Sequence, residues 1–230
     1  MQLFFIKNPE NEIILSKQES KHVTKVLRKK SGDILNFTDG KGGLYKAEIT
    51  LADTTNCRLK ILSSKQKTKQ HTYHLHIAIA PTKNIDRFEF FLEKATEIGI
   101  DEITPIICQH SERKVMKTER CKRILLSAMK QSLKFHLPKI NEAIPLKDFL
   151  KQDFEGNKYI AHCKESKKVE LKNEMKENKT LILIGPEGDF SPLEIEMALQ
   201  NQYKAVNLGN TRLRTETAAL VAVHTIYLKY

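Results

Sequence analysis

Two short segments near the C-terminus combine glycines with charged side chains in a pattern that suits the binding of a small molecule. Residues 181–194 read LILIGPEGDFSPLE, and residues 208–218 read LGNTRLRTETA. In both, an apolar run stops at a glycine, which indicates a strand that ends where a loop begins. In open α/β sheets, ligands bind where loops at the carboxyl ends of strands face one another. The two segments therefore predict one binding site formed by two loops.

The first loop contains residues that allow a close approach to the backbone. Gly185 and Gly188 have no side chain, so the backbone can come close to a ligand or adopt a positive φ. Ser191 and Glu194 form a capping box around Pro192, which predicts a helix from there to about residue 202. A well-formed loop that binds nothing would show the same pattern.

The second loop carries Arg212, Arg214 and Glu216 directly before a helix predicted from about Thr217 to the end of the chain. The predicted helix is apolar on nearly all sides, so charges at its start are costly unless they are used. A chemical step that creates negative charge is one such use. The alternative is an Arg–Glu pair that only caps the helix, whose N-terminus favours a carboxylate.

The elements that position these loops alternate between strand and helix, which indicates an α/β domain with a mostly parallel sheet. Apolar periodicity predicts a helix that Gly99 stops and another, from Cys121 to Phe135, that ends before Pro138. The predicted strands cover residues 74–80, 103–108, 158–163, 181–184 and 205–208.

The N-terminal part of the chain has a different organisation. Short strands at residues 34–37, 44–51 and 57–62, with turn signals and one helix near residues 21–28, predict a small β-barrel in residues 1–64. Residues 65–72 are polar and basic and are predicted to be a linker. The α/β domain is then expected to cover residues 73–230.

Composition indicates a polyanionic partner. The chain has 39 Lys and Arg against 28 Asp and Glu, a net charge of +11, and a pI of about 9.4. Nucleic acid is the leading candidate because the basic residues cluster, notably at Lys25, Arg28, Lys29 and Lys30. For any single cluster, a solvated surface is the ordinary alternative.

Two classes of protein are not indicated. No apolar run approaches the ~20 residues that span a bilayer, and no signal segment is visible, so a cytoplasmic protein is expected. Cys57, Cys108, Cys121 and Cys163 show no CxxC spacing, which suggests neither a zinc site nor a disulfide framework.

The two C-terminal motifs closely resemble those of the RsmE-type ribosomal RNA methyltransferases of the SPOUT superfamily. ESKHVTKVLRKKSGDILNFTDG at 19–40, KATEIGIDEITPII at 94–107 and SAMKQSLKFHLPKI at 127–140 resemble further family motifs, so the resemblance covers nearly the whole chain. It implies methylation of N3 of a uracil in small-subunit (16S) ribosomal RNA by S-adenosylmethionine. It also implies a knotted SPOUT-type α/β domain, a PUA-like RNA-binding β-barrel before it, and a homodimer.

The resemblance also implies roles for individual residues. Loss of the N3 proton spreads negative charge onto the flanking carbonyl oxygens of uracil, and Arg214 is the leading candidate to stabilise it. Arg212 is a second candidate, or else it binds a phosphate. Glu187 or Glu216 could be the general base or face the sulfonium cation, and a base supplied by water or by the RNA is the alternative. The residues expected to hold the cofactor are Ile184, Gly185, Glu187, Gly188, Leu208, Gly209, Leu213 and Thr215, and those expected to contact RNA are Lys25, Arg28, Lys29, Lys30, Lys130, Lys134 and Arg212.

Some residues depart from the family pattern and leave individual contacts open. Thr211 stands where arginine is common, Lys130 where an acidic residue is common, and Asp189 where glycine is frequent. The substrate could be free RNA or an assembled ribosomal particle. A SPOUT enzyme for another RNA, such as tRNA, would share the cofactor loops but not the N-terminal motif. A non-catalytic RNA-binding protein would share the basic clusters but would not need the two loops.

Overall fold

The computed structural model describes residues 2–174 and 178–230. The chain divides into two compact units. The first unit comprises Met1–Lys69 and Met129–Leu137, and the second comprises Gln70–Ala128 and Pro138–Tyr230. The predicted boundaries at residues 65–72 stay a prediction.

The first unit contains a five-stranded sheet with the strand order β1-β3-β4-β5-β2. Its elements are β1 (Leu3–Phe5), β2 (Glu12–Ile14), α1 (Lys17–Lys21), a π-helical turn (His22–Val26), β3 (Ile34–Thr38), β4 (Gly43–Leu51) and β5 (Arg58–Gln66). All pairs are antiparallel except β1 with β3. Alternate residues of the strands, such as Leu35 and Phe37, face a core that also contains Val23.

One helix and one strand in this unit have bounds that differ from the prediction. The helix expected near residues 21–28 begins earlier, at Lys17, because Ser16 caps it by accepting a hydrogen bond from the Glu19 N–H. Arg28 has a φ of 54°, which is incompatible with a continuing helix. Strand β5 runs to Gln66 rather than residue 62, because its polar end still pairs with β4.

The second unit contains a parallel sheet with the strand order β11-β13-β10-β12-β6-β7-β8, and β9 also pairs with β7. Its elements are β6 (His74–Ile79), α2 (Ile85–Ile98), β7 (Glu102–Ile107), α3 (Thr118–Gln131, whose last turn lies in the first unit), β8 (Lys139–Ile140), β9 (Ile144–Pro145), α4 (Leu146–Phe149), β10 (Asn157–Ala161), β11 (Val169–Glu170), α5 (Leu171–Glu174), β12 (Lys179–Ile184), α6 (Pro192–Gln200), β13 (Lys204–Asn207) and α7 (Thr215–Lys229). Every strand pair in this sheet is parallel. The predicted α/β class is therefore confirmed.

Both faces of the parallel sheet are covered. Leu181 and Leu183 of β12 belong to a core cluster that includes residues of α4 and α6. The alternate residues Ile182 and Ile184 face the other way and are also buried. Helix α7 packs on α2, β6 and β12. This burial on both faces explains the continuous apolar run in the sequence.

The order of three strands brings the two predicted loops to one edge of the sheet. Strand β10 lies between β12 and β13, and the residue Ala161 is paired with Ile184 on one side and Val206 on the other. The three strands therefore end at the same level, and the loops that follow them leave the sheet together. Such an edge is where α/β sheets bind ligands.

The helices flanking this edge agree with the prediction in kind and differ at their ends. The capping box of Ser191 and Glu194 is present at the start of α6. Helix α3 ends at Gln131 instead of continuing towards Pro138, and Leu133 beyond it has a φ of 55°. Helix α7 begins at Thr215, two residues earlier than predicted.

Among the described residues, no helix has the length and apolar character required to cross a bilayer. In the same part of the chain, no three His, Cys, Asp or Glu side chains come together in a way that could hold a metal ion.

Candidate active site

A cavity of about 420 Å³ lies at the common edge of β10, β12 and β13. This volume is within the range of small-molecule sites, roughly 300–1,000 Å³. Seven of the eight residues predicted to hold a cofactor line it, namely Ile184, Gly185, Glu187, Leu208, Gly209, Leu213 and Thr215. The eighth, Gly188, is not one of the lining residues. The structure therefore brings the two predicted loops together around one space.

The glycines of the first loop are needed for close packing rather than for backbone conformation. Neither Gly185 nor Gly188 has a positive φ. A Cβ atom at Gly185 would lie 3.0 Å from Phe190 Cδ2, and one at Gly188 would lie 3.0 Å from His110 Cβ. The close approach that the sequence predicts is thus made by protein neighbours, and it fixes the shape of the loop.

Asp189 stands where glycine is frequent in the family, and its side chain fits the geometry of the site. It has a φ of 63°, a conformation that Asp tolerates better than most side chains. Its carboxylate accepts hydrogen bonds from the Cys163 N–H at 2.9 Å and the Phe190 N–H at 2.9 Å. Asp189 therefore keeps the turn and joins this loop to the end of β10.

The two predicted loops are also joined directly. The Thr215 hydroxyl, at the start of α7, donates a buried hydrogen bond to the Gly185 carbonyl oxygen at 3.0 Å. Glu187, exposed on the first loop, accepts a hydrogen bond from the Lys83 N–H at 2.9 Å. These contacts fix the cavity wall at several points.

The two arginines of the second loop are exposed and line the cavity. Arg214 occupies the N-cap position of α7. Within residues 2–174 and 178–230, neither Arg212 nor Arg214 makes a side-chain hydrogen bond or ion pair. Both guanidinium groups are therefore available to a ligand.

Glu216 does not pair with Arg214, so these two residues do not form the helix-capping Arg–Glu pair that was the alternative to a functional role. Its Oε1 atom lies 3.9 Å from Arg87 Nε, and its Oε2 atom is buried without a hydrogen-bond partner in the described part of the chain. Glu216 is only 8% exposed and is not one of the residues that line the cavity. Its neighbour Arg87, in the first turn of α2, does line it.

Sequence reasoning missed the third loop of the site. Ala161, His162 and Cys163, at the end of β10, line the cavity together with Arg87. The available signal was the predicted strand at 158–163, which in a parallel sheet must end at the same edge as the other two. Burial, together with the nearby charge of Lys168, lowers the pKa of His162.

The structure divides the residues predicted to contact RNA between the two units. Lys25, Arg28 and Lys30 are exposed, and the Lys29 Nζ lies 3.9 Å from an Asp33 carboxylate oxygen. These four belong to the first unit, as do the half-buried Lys130 and Lys134, whereas Arg212 belongs to the second unit.

Comparisons with known proteins match both parts of the chain. A family model described as an RNA methyltransferase domain matches residues 68–227, and one described as an RNA methyltransferase PUA domain matches residues 15–62. The second match confirms the predicted PUA-like N-terminal domain.

Similar proteins extend over nearly the full chain. Ribosomal RNA small subunit methyltransferase E from Rickettsia conorii is 30% identical over 214 residues, which cover 90% of this chain and 85% of that protein. A structure described as a probable rRNA-methyltransferase from Porphyromonas gingivalis has a TM-score of 0.94 and 40% identity, and covers 100% of this chain and 98% of its own. A ribosomal RNA small subunit methyltransferase E from Neisseria gonorrhoeae, bound to S-adenosylmethionine, has a TM-score of 0.84 and 26% identity, with coverage of 97% and 95%.

Proposed function

The chain belongs to the ribosomal RNA small subunit methyltransferase E family, and we propose that it transfers a methyl group from S-adenosylmethionine to N3 of one uridine in 16S ribosomal RNA. The observation that carries this proposal is the cavity at the common edge of β10, β12 and β13, where Arg212 and Arg214 present guanidinium groups that no side chain in residues 2–174 and 178–230 engages. A pocket for a nucleoside cofactor and a cationic rim for an RNA base are thereby adjacent.

The residues of the cavity fit S-adenosylmethionine. Apolar side chains such as Ile184, Val206 and Leu208 provide a surface for the adenosine. Glu187 is exposed at the cavity and offers negative charge to the sulfonium group. When bound, S-adenosylmethionine supplies a methyl group that the sulfonium already activates.

Arg214 is the residue that we assign to stabilisation of the uracil anion. As N3 loses its proton, negative charge develops on the two adjacent carbonyl oxygens, and a guanidinium group can donate hydrogen bonds to such oxygens. Because no described side chain engages Arg214, no existing ion pair has to be broken. We assign Arg212 to the same rim, as a phosphate contact or a second donor.

Of the two candidate proton acceptors, Glu187 is the better placed. It lines the cavity, whereas Glu216 lies behind Arg87. We therefore propose that Glu187 accepts the N3 proton or faces the sulfonium, and that Glu216 positions Arg87.

We extend the proposal to the SPOUT knot, a homodimer and a cytoplasmic site of action. The order β13-β10-β12 is compatible with the knot, because the chain crosses β10 between β12 and β13, and the knot itself rests on the membership of the family. The side chain of Leu228 at the end of α7 is 70% exposed and Tyr227 is 48% exposed, an apolar surface that a second copy would cover. The basic residues of the first unit would bind the RNA backbone.

A methyl-transfer assay tests the function. The purified protein is incubated with isotope-labelled S-adenosylmethionine and with 16S RNA, assembled small subunits or total tRNA, and the modified nucleoside is identified by mass spectrometry. We expect N3-methyluridine in 16S RNA or in the small subunits. Labelling of tRNA alone would favour a different RNA substrate, and cofactor binding without transfer to any RNA would contradict the proposal.

A further inference from the structure

His162 is a buried polar side chain that the proposed reaction does not yet use. It follows β10 directly and is 8% exposed. Both of its ring nitrogens are buried, and neither has a hydrogen-bond partner among the residues that the structure describes. A buried polar group without a partner costs roughly 1–3 kcal/mol, so a side chain with two of them calls for an explanation.

The surroundings of His162 favour a neutral imidazole. The ring is buried, and Lys168, whose Nζ donates to the His162 carbonyl oxygen at 2.9 Å, adds a nearby positive charge. Both effects lower the pKa of His162, and the nearby Asp189 and the backbone of Lys164 oppose them only in part. A neutral imidazole has one donor and one acceptor nitrogen, and it suits a neutral ligand group that offers both.

The position of His162 identifies the part of the cofactor that it can reach. Its neighbour Ala161 is paired with Ile184 and Val206, so His162 lies at the base of the cavity, between the loops that follow β12 and β13. The charged side chains that could bind the carboxylate and ammonium groups of the cofactor are Arg87, Glu187 and the arginines of the second loop. The base of the cavity, with its apolar walls, suits the adenine ring instead.

We propose that His162 hydrogen-bonds the edge of the adenine of S-adenosylmethionine and selects the cofactor by that base. This inference rests on the proposed function. The adenine edge combines the donor N6 amine with acceptor ring nitrogens. An imidazole in either tautomer can therefore satisfy one of its nitrogens against this edge, as a donor to a ring nitrogen or as an acceptor from the N6 amine.

The test uses His162→Leu, which removes both nitrogens at similar volume, and His162→Gln, which keeps a neutral donor and acceptor. His74→Leu is the matched control, because His74 also has a buried Nδ1 without a partner in the described residues but does not line the cavity. Calorimetry measures the Kd of S-adenosylhomocysteine, of 5′-methylthioadenosine, which lacks the amino-acid part, and of S-adenosylhomocysteine analogues that lack the 6-amino group or N7 of adenine.

We expect His162→Leu to raise the Kd of S-adenosylhomocysteine and of methylthioadenosine by a similar factor, about 10- to 100-fold, with partial recovery in His162→Gln and no change in His74→Leu. At least one edge-modified analogue should bind the wild type about 10-fold more weakly than S-adenosylhomocysteine, and this difference should nearly vanish in His162→Leu. The melting temperature of the ligand-free His162→Leu protein should not fall, because the nitrogens have no protein partner to lose among the described residues.

Three outcomes would overturn the assignment. In the first, His162→Leu leaves the Kd of S-adenosylhomocysteine unchanged. In the second, it weakens S-adenosylhomocysteine but not methylthioadenosine, which would place His162 at the amino-acid part. In the third, the loss of affinity is the same for every adenine analogue. Failure of the wild type to bind S-adenosylhomocysteine at all would instead refute the proposed function, so the two failures are distinguishable.

Discussion

Replacing Arg214 with alanine should separate a catalytic role from a structural one. Because the guanidinium is exposed and has no partner within the described residues, its removal should change the free energy of unfolding by less than about 0.5 kcal/mol. If Arg214 stabilises the developing uracil anion, methyl transfer should slow by about 10²–10³, equivalent to about 2.7–4 kcal/mol. Cofactor affinity should change little.

The assay for this prediction is single-turnover methyl transfer measured beside a melting curve and a cofactor titration. Arg214→Lys should recover only part of the rate, because an ammonium group cannot reproduce the two-pronged donor geometry of a guanidinium. The matched control is Arg58→Ala, which removes an exposed arginine from β5 of the first unit. A folded Arg214→Ala protein with the wild-type transfer rate would refute the assignment.

Three further predictions concern the cofactor loop, the RNA contacts and acid stability. Gly185→Val should abolish cofactor binding in calorimetry, because even a Cβ would lie 3.0 Å from the Phe190 ring; normal affinity would remove this loop from the site. Charge reversal at Arg28 and Lys29 should flatten the salt dependence of RNA binding by roughly one unit of slope per lost phosphate contact, and an unchanged slope would mean that they do not touch the backbone. Burial lowers the pKa of His76 from 6.5 to about 4. The contribution of neutral His76 to the free energy of unfolding should therefore be fully present above pH 6.5, and about 3 kcal/mol of it should be lost as the pH falls towards 4. A free energy of unfolding that calorimetry finds constant over this range would contradict the prediction.

The sequence predicted those parts of the site whose signals are local. The apolar run Leu181–Ile184 indicates a strand buried on both faces, and the structure covers both faces of β12. The capping box formed by residues 191–194 is enough to predict where α6 begins. Both depend on neighbours in the chain, so pattern and propensity were sufficient.

The parts that were missed depend on residues far apart in the sequence. Arg87 lies in α2, yet its partner is Glu216 in α7. His162 joins the cavity only because β10 lies between β12 and β13, an order that the sequence pattern does not contain. The polar end of β5 and the three-residue strand β1 are held by pairing with other strands, so their own residues carry little signal.

Mass spectrometry of 16S ribosomal RNA from cells that lack the gene tests the proposed reaction most directly. The RNA is compared with that from the parent strain and from the deletion strain carrying either the wild-type gene or the Arg214→Ala variant. We predict that one N3-methyluridine disappears in the deletion strain, returns with the wild-type gene and stays strongly reduced with the variant. An N3-methyluridine that persists undiminished in the deletion strain would contradict the proposed function.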